Sequence, residues 1–163
     1  PAGACHLAAA LQSRNASLCK LNLKSNKVGA AGAASLAVML SLNRSLVELN
    51  LWSNALGPEG AKALAGALSS DAAVLTDLDV GCNAIGPEGL THLSEALLRN
   101  KQLERLNLRW NDVGDAGIAA LREGLKSNRT LREVHVFGNG LTAEGTQHLN
   151  ALKEAVPSLK ILQ

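Results

Sequence analysis

One pattern occurs five times along this chain of 163 residues, and it restricts the possible folds more than any other feature. Aliphatic residues and an asparagine recur in the order L-x-x-L-x-L-x-x-N-x-(L/I/V), where x is any residue. The copies begin near positions 18, 46, 75, 103 and 131, at intervals of 28 or 29 residues. A fixed period of this length is the signature of a solenoid, in which each repeat buries its apolar face against its neighbours.

Each repeat combines two periods of hydrophobicity. Residues alternate in the L-x-L segment, as in a short strand with one buried face. The second half of the repeat has leucines four residues apart, such as Leu36 and Leu40, and this spacing predicts an amphipathic helix. Gly-Pro-Glu-Gly at 57–60 and 86–89 indicates helix starts, because proline fits the first turn and glutamate complements the positive end of the helix dipole.

The repeat resembles the leucine-rich repeat of the ribonuclease-inhibitor type, which also occurs in nucleotide-binding leucine-rich-repeat receptors and in the Ran GTPase-activating protein. The resemblance extends over essentially the whole chain. It implies an α/β leucine-rich-repeat solenoid, a horseshoe with a parallel sheet on the concave face and helices on the convex face. It also implies an internal ladder, in which one asparagine per repeat bonds unpaired backbone groups: Asn26, Asn54, Asn83, Asn111 and Asn139.

Both ends of the chain fall inside a repeat. The segment 1–3 aligns with 58–60, so the chain begins at a helix without its strand, and Leu159 with Leu162 begins a sixth repeat. We therefore expect residues 1–163 to form a single leucine-rich-repeat domain with five full repeats and a partial repeat at each end. We expect this domain to be a fragment of a longer protein.

The candidate protein-binding residues lie on the predicted concave face. Trp52 resembles the tryptophan of strands with which ribonuclease inhibitor holds its ligands, and tryptophan and arginine are enriched in interface hot spots. Strand parity places Gly81 between Trp52 and Arg109, where we expect a gap that admits a partner side chain. The alternative is that the tryptophans only cover neighbouring residues and turns. The proposed binding set is Trp52, Arg109, Trp110, Phe137, Lys20, Lys24, Asp79 and His135.

Charge is distributed unevenly along the chain. Residues 1–47 contain no Asp or Glu but five Lys or Arg, Arg14 among them, whereas the remainder has a net charge of −3. An acidic partner surface would be attracted to this end, although a merely solvated edge explains the pattern equally well. Nucleic acid is a poorer candidate, because the basic residues are few and no aromatic residue lies among them.

The amino-terminal convex helices are predicted to be almost uncharged. Residues 28–43 carry no charge, and His6 is the sole titratable side chain between positions 2 and 12 apart from Cys5. Exposed helices normally carry charged residues, so these helices are candidates for packing on a neighbouring domain or subunit through residues such as Ala34 and Ala37. An alanine-rich composition without function is the alternative.

Catalytic and cofactor sites are weakly indicated. Asp77 and Asp79 face the same side of one strand and could form an acid/base pair. However, Asp77 occupies the same strand position as Lys20, Glu48 and Arg105 in other repeats. The alternating charges at this position favour surface ion pairs between neighbouring strands. The histidines are too dispersed for one metal, and the glycine-rich turns lack the Lys-Ser/Thr of a phosphate loop. We predict no enzyme activity, cofactor or metal.

The cysteines and apolar runs bear on the compartment. The chain has three Cys without zinc-type spacing, no apolar run long enough for a membrane span and no signal-peptide pattern. These features favour a cytoplasmic protein. Three glycosylation sequons begin at Asn15, Asn43 and Asn128. We favour a structural role for these asparagines, as for Asn100, in left-handed turns that end helices.

Three functions are compatible with the sequence. The first is protein recognition through the concave face, in a receptor or in a scaffold. The second is a GTPase-activating domain similar to the Ran regulator, although its long acidic tail has no counterpart here. The third is an architectural segment of a large complex, and the fold alone cannot choose among them.

Overall fold

A computed structural model describes residues 1–13, 17–70 and 73–163. The sequon at Asn15 and the basic residue Arg14 therefore lie outside the described residues. The helices are α1 (Ala2–Ser13), α2 (Gly29–Leu42), α3 (Gly57–Leu68), α4 (Gly86–Leu97), α5 (Gly114–Leu125) and α6 (Ala143–Ala155). The strands are β1 (Lys20–Asn22), β2 (Glu48–Asn50), β3 (Asp77–Asp79), β4 (Arg105–Asn107), β5 (Glu133–His135) and β6 (Lys160–Leu162).

The strands form one parallel sheet in the order β1 to β6. Equivalent residues of consecutive repeats are direct neighbours, so that Leu49 lies beside Leu78 and Leu78 beside Leu106. A helix connects each strand to the next, as a parallel crossover requires. The predicted α/β repeat solenoid with a parallel sheet is confirmed.

The core lies between the sheet and the helices. The middle residue of each central strand points into it, and Leu49, Leu78 and Leu106 are at most 2% exposed. The equivalent helix leucines are completely buried: Leu36, Leu64, Leu93, Leu121 and Leu149. Because aliphatic side chains fill this layer, the two Trp and the Phe remain outside it.

Buried asparagines connect the turns that follow the strands. Asn83 is 1% exposed; its Oδ1 accepts hydrogen bonds from the backbone N–H groups of Asn54 and Leu56 in the preceding repeat. Its Nδ2 donates to the carbonyl groups of Leu51 and Val80. The same arrangement recurs at Asn54, Asn111 and Asn139. Asn26 differs, because it is exposed and its Nδ2 donates to the Lys24 carbonyl.

A second group of buried asparagines lies where the chain returns from helix to strand. The expected left-handed conformation is wrong at Asn43, Asn100 and Asn128, since none of them has a positive φ. At Asn43 the backbone is extended, with a φ of −76° and a ψ of 135°. Asn43 instead acts through its side chain: Oδ1 accepts from the backbone N–H groups of Ser45 and Leu46, and Nδ2 donates to Leu11. Asn100 and Asn128 form equivalent bonds. The amide nitrogens of the sequon residues Asn43 and Asn128 are thus buried and engaged.

Candidate protein-binding face and its rim

One face of the sheet is turned away from the helices and carries the first and third residues of each strand. We call it the open sheet face. These residues line a cleft of about 520 Å³, which extends across five strands. All the strand residues in the predicted binding set lie here: Lys20, Asp79 and His135.

The first residues of the strands pair with one another across the sheet. Lys20 Nζ lies 2.6 Å from Glu48 Oε1, and Lys160 Nζ lies 3.1 Å from Glu133 Oε2. The hydrogen bond to Glu48 raises the pKa of the Lys20 ammonium group above its usual value. Because these charges pair with one another, the surface that they form is largely neutral. Exposed ion pairs of this kind contribute little to stability.

Asp77 belongs to this column of charges. Its carboxylate forms a bidentate salt bridge with the Arg105 guanidinium, in which Nη2 and Oδ2 are 2.6 Å apart. The Oδ2 atom also accepts a hydrogen bond from the Thr76 hydroxyl. The hydrogen bond to Asp77 raises the pKa of Arg105. Asp79 interacts elsewhere, since its Oδ1 accepts the backbone N–H of Gly81 at 2.9 Å. The two carboxylates therefore have separate structural partners.

The third residues of the strands have a structural role that the sequence pattern did not indicate. The Oδ1 atoms of Asn22, Asn50 and Asn107 each accept the backbone N–H two residues further along, as Asp79 does. This bond closes the turn at the end of the strand. The recurrence of Asn or Asp at this position in successive repeats is the sequence feature that could have indicated the role.

His135 replaces asparagine in this row and behaves differently. Its Nε2 lies 2.5 Å from Glu133 Oε1, and within the described residues its buried Nδ1 has no hydrogen-bond partner. The hydrogen bond with His135 and that with Lys160 lower the pKa of Glu133. The four histidines do not converge, and the described residues contain no cluster of three metal-ligating side chains.

Trp52 does not leave the expected gap beside it. Its ring lies directly over Gly81, since a Cβ atom added to that glycine would be 2.3 Å from ring atoms Cε3 and Cζ3. Lys24 Nζ is 5.6 Å from the Trp52 ring centroid, within range of a cation–π contact. The expectation that Gly81 leaves an opening for a partner side chain is therefore wrong, because Trp52 fills the space. Trp52 is half-buried, so part of its side chain remains accessible.

An aromatic pair lies two strands away at the same end of the sheet. Trp110 and Phe137 are each 51% exposed, and their rings meet edge to face with centroids 5.1 Å apart. Trp110 has a φ of 57°, and its ring covers Gly138. Arg109 precedes this pair and forms no salt bridge with a described residue. Two exposed aromatic rings and a free guanidinium thus occur together at the rim.

On the helix side, α2 presents an uncharged surface. Val38 and Leu42 are 55% and 54% exposed, one helical turn apart, and Ala34 lies on the same exposed side. Ala37 is 8% exposed and belongs to the core, so its expected position on the outer surface is wrong. Its place one residue before Val38 turns it away from the exposed side of the helix and into the core. Leu98 adds a further exposed aliphatic side chain after α4.

The cysteines and the helix lengths give two further facts. Cys5, Cys19 and Cys82 are free thiols, of which Cys19 and Cys82 are exposed. Among the helices of the described residues, none is long and apolar enough to cross a membrane.

Comparison with known proteins supports the repeat assignment. The family model described as leucine-rich repeat matches residues 14–37, 42–65, 73–94, 99–121 and 127–149, well over half of the chain. No match is found among curated proteins. Similar solved structures include the Caenorhabditis elegans tropomodulin C-terminal domain, with a TM-score of 0.77 and 18% identity over 95% of this chain and 92% of that one. Another is the leiomodin-1 actin-binding site 2, with a TM-score of 0.75 and 18% identity over 92% and 87% of the two chains. These similarities extend to the fold, and the family match shows that the chain belongs to the leucine-rich-repeat proteins.

Proposed function

We propose that this chain is a non-catalytic protein-recognition module, which binds a protein partner through its concave, open sheet face. The observation that carries the proposal is the group of exposed or half-buried aromatic and cationic side chains at the end of the strands: Lys24 over Trp52, Arg109, and the Trp110–Phe137 pair. Their ring positions are set by packing on Gly81 and Gly138, so binding would order few additional side chains.

The paired charges beside the aromatic group support this function. Three ion pairs neutralise the charges across the strands: Lys20 with Glu48, Arg105 with Asp77, and Lys160 with Glu133. A partner would therefore meet a patterned polar surface next to an apolar and cationic anchor. In such an arrangement the anchor supplies most of the affinity, and the polar surface determines how the partner is positioned on the sheet.

Alanine variants test this proposal. We expect Trp52→Ala and Arg109→Ala each to weaken binding of the natural partner by roughly 1 to 3 kcal/mol, while the unfolding midpoint changes little. A photo-crosslinking residue at exposed Lys20 should capture the partner, whereas the same residue at exposed Gln147 on α6 should not. Full affinity in both alanine variants, or capture from Gln147 alone, would refute the concave-face proposal.

Actin is the first partner to examine, because the similar leiomodin-1 structure is that of an actin-binding site. Sedimentation with filamentous actin and anisotropy with monomeric actin give direct answers. A GTPase-activating role is the alternative, and stimulated hydrolysis by any of a panel of small GTPases would favour it. We propose that the protein acts in the cytoplasm, as part of a longer chain with five full repeats.

The uncharged surface of α2 suggests an additional contact. We propose that Val38, Leu42 and Ala34 pack on a neighbouring domain or subunit of the assembled protein. Changing Val38 and Leu42 to Glu together should leave the isolated chain folded and disrupt assembly of the full-length protein. Unchanged assembly would mean that the apolar surface has no partner.

A further inference from the structure

A second cleft lies outside the open sheet face, along the turns that connect the strands to the helices. It has a volume of about 450 Å³ and spans four repeats. Its floor consists of small side chains, including Ala55, Cys82 and Ala84, while Lys27 and Trp110 lie at opposite ends. We call this cleft the rim groove.

The floor of the rim groove is open because of which residues occupy the equivalent turn position. The position holds Lys27, Ala55, Ala84 and Asp112 in four successive repeats, and all four are exposed. Two alanines between two charged residues leave space along the turns without any side chain to fill it. The groove therefore has a positive end at Lys27 and a negative end at Asp112.

Trp110 adds an apolar surface at the negative end. The ring is 51% exposed, and its contacts with Gly138 and Phe137 define its orientation. Lys27 has no acidic side chain within salt-bridge distance among the described residues, and the same holds for Asp112 with respect to basic ones. The groove thus offers an exposed apolar ring, a cation and an anion, and neither charge has a salt-bridge partner among the described residues.

We propose that the rim groove binds an extended segment of a partner protein that carries an acidic residue and a large apolar residue four positions apart. Three strand-to-strand steps of about 4.8 Å separate Lys27 from the Trp110 end, or roughly 14 Å. Four residues of extended chain span about 13 Å, and residues four apart point to the same side. The acidic residue would pair with Lys27 and the apolar residue would pack on Trp110, with a basic neighbour near Asp112.

This proposal rests on the proposed function only in so far as the partner is a protein, because the groove is a different surface from the open sheet face. Trp52 does not line the groove, whereas Lys27 and Trp110 do. Trp110 belongs both to the groove and to the aromatic group beside the open sheet face, so it is the Trp52 and Lys27 variants that separate the two surfaces.

Selection from a displayed library of random 12-residue peptides tests the groove. We expect enriched peptides to contain an acidic and a large apolar residue four positions apart. An enriched peptide should bind at least tenfold more weakly to Lys27→Glu and Trp110→Ala by fluorescence anisotropy. Exposed Lys153 on α6 provides the matched charge control, so Lys153→Glu should bind normally.

A charge exchange and a thiol footprint complete the test. Replacing the peptide's acidic residue with Lys should restore binding to the Lys27→Glu variant. The bound peptide should protect Cys82 from alkylation, while exposed Cys19 continues to react. Enrichment of basic peptides, failure to enrich any peptide, or full affinity in both groove variants would overturn the proposal. Loss of binding in Trp52→Ala alone would overturn it while supporting the open sheet face.

Discussion

Asn83 illustrates how one side chain per repeat satisfies backbone groups that a turn between strand and helix leaves unpaired. Its amide accepts two backbone N–H groups and donates to three carbonyl groups, all across or within the turns. A buried backbone group without a partner is costly, so no aliphatic residue can replace this asparagine. The repeat pattern predicts the position, and the contacts follow from the packing of one turn on the next.

Asn83→Ala is expected to destabilise the chain severely. The substitution would leave several buried N–H and carbonyl groups unpaired, at about 1 to 3 kcal/mol each, so the free energy of unfolding should fall by at least about 3 kcal/mol. Asn26→Ala is the matched control, because Asn26 is exposed and should cost less than about 1 kcal/mol. Urea unfolding measures both. Equal losses at the two positions would contradict the role of the buried ladder.

The position of the Trp52 ring could not be predicted from the sequence. Strand parity places it on the open face beside Gly81, but parity does not determine side-chain torsions. The ring folds onto the glycine because that position lacks a Cβ atom and exposes backbone that an apolar ring can cover. Similarly, the sequence pattern places Asn43 in the correct turn but with the wrong backbone conformation, because its side chain, rather than a left-handed residue, satisfies the turn.

At the scale of whole helices, glycines set how closely neighbours approach. Gly124 in α5 lies against the backbone of Ser94 in α4, and a Cβ atom there would be 2.3 Å from the Ser94 carbonyl oxygen. Gly66 in α3 is exposed, and a Cβ atom added to Gly66 would have no neighbouring atom within 4 Å. The same residue type therefore has opposite significance in two helices.

Gly66→Ala and Gly124→Ala should change stability in opposite directions. Alanine is favoured over glycine inside a helix by about 0.8 to 1 kcal/mol, so Gly66→Ala should raise the free energy of unfolding by up to that amount. Gly124→Ala should lower it by roughly 1 to 3 kcal/mol, because α5 must move away from α4. Denaturant titration of both variants is the measurement. Stabilisation by Gly124→Ala would show that the helix contact is not close-packed.

Asp115 connects the starts of α5 and α6. Its Oδ1 accepts from the Thr142 backbone N–H at 2.9 Å, and its Oδ2 accepts from the Thr142 hydroxyl at 2.5 Å. Thr142 in turn caps α6, since its Oγ accepts from the Glu144 backbone N–H. The hydrogen bonds from Thr142 lower the pKa of Asp115 below its usual value of 3.8.

The contribution of Asp115 should depend on pH. Because folding lowers the pKa, the carboxylate stabilises the fold fully above about pH 3.8 and loses that effect as pH falls through the lower folded value. We expect Asp115→Ala to unfold at a lower temperature than the parent chain at pH 7, and the difference to shrink steadily below pH 3.8. Thermal unfolding monitored by circular dichroism checks this, and a difference that grows on acidification would contradict it.

For the whole molecule, the period of the sequence predicts the architecture well because every repeat packs the same strand and helix positions into one core. The register of the sheet follows directly, since equivalent leucines such as Leu49 and Leu78 must be neighbours if one core is to run through all repeats. The binding surfaces were less accessible to this reasoning. The rim groove arises where repeats differ, at Ala55 and Ala84 between Lys27 and Asp112, and its shape depends on side chains that no periodic rule describes.

A solenoid also has a characteristic response to local damage. Its stability approximates a sum of repeat and nearest-neighbour terms, so a lesion acts mainly on its own repeat and the adjacent ones. Leu93 in α4 and Leu149 in α6 occupy equivalent, fully buried positions, and replacing either with alanine should cost about 2 to 5 kcal/mol locally. Within the described structure α4 packs between α3 and α5, whereas α6 has α5 as its only helical neighbour.

Hydrogen exchange should therefore distinguish the two variants. Leu149→Ala is expected to accelerate amide exchange in α6 and β6 while α2 and α3 keep the protection of the parent chain. Leu93→Ala should accelerate exchange in α3, α4 and α5 together, because the damaged repeat lies between packed neighbours and interrupts the continuous core. Mass spectrometry of peptic fragments resolves these regions. If Leu149→Ala accelerated exchange equally along the whole chain, the molecule would unfold as one cooperative unit rather than as coupled repeats.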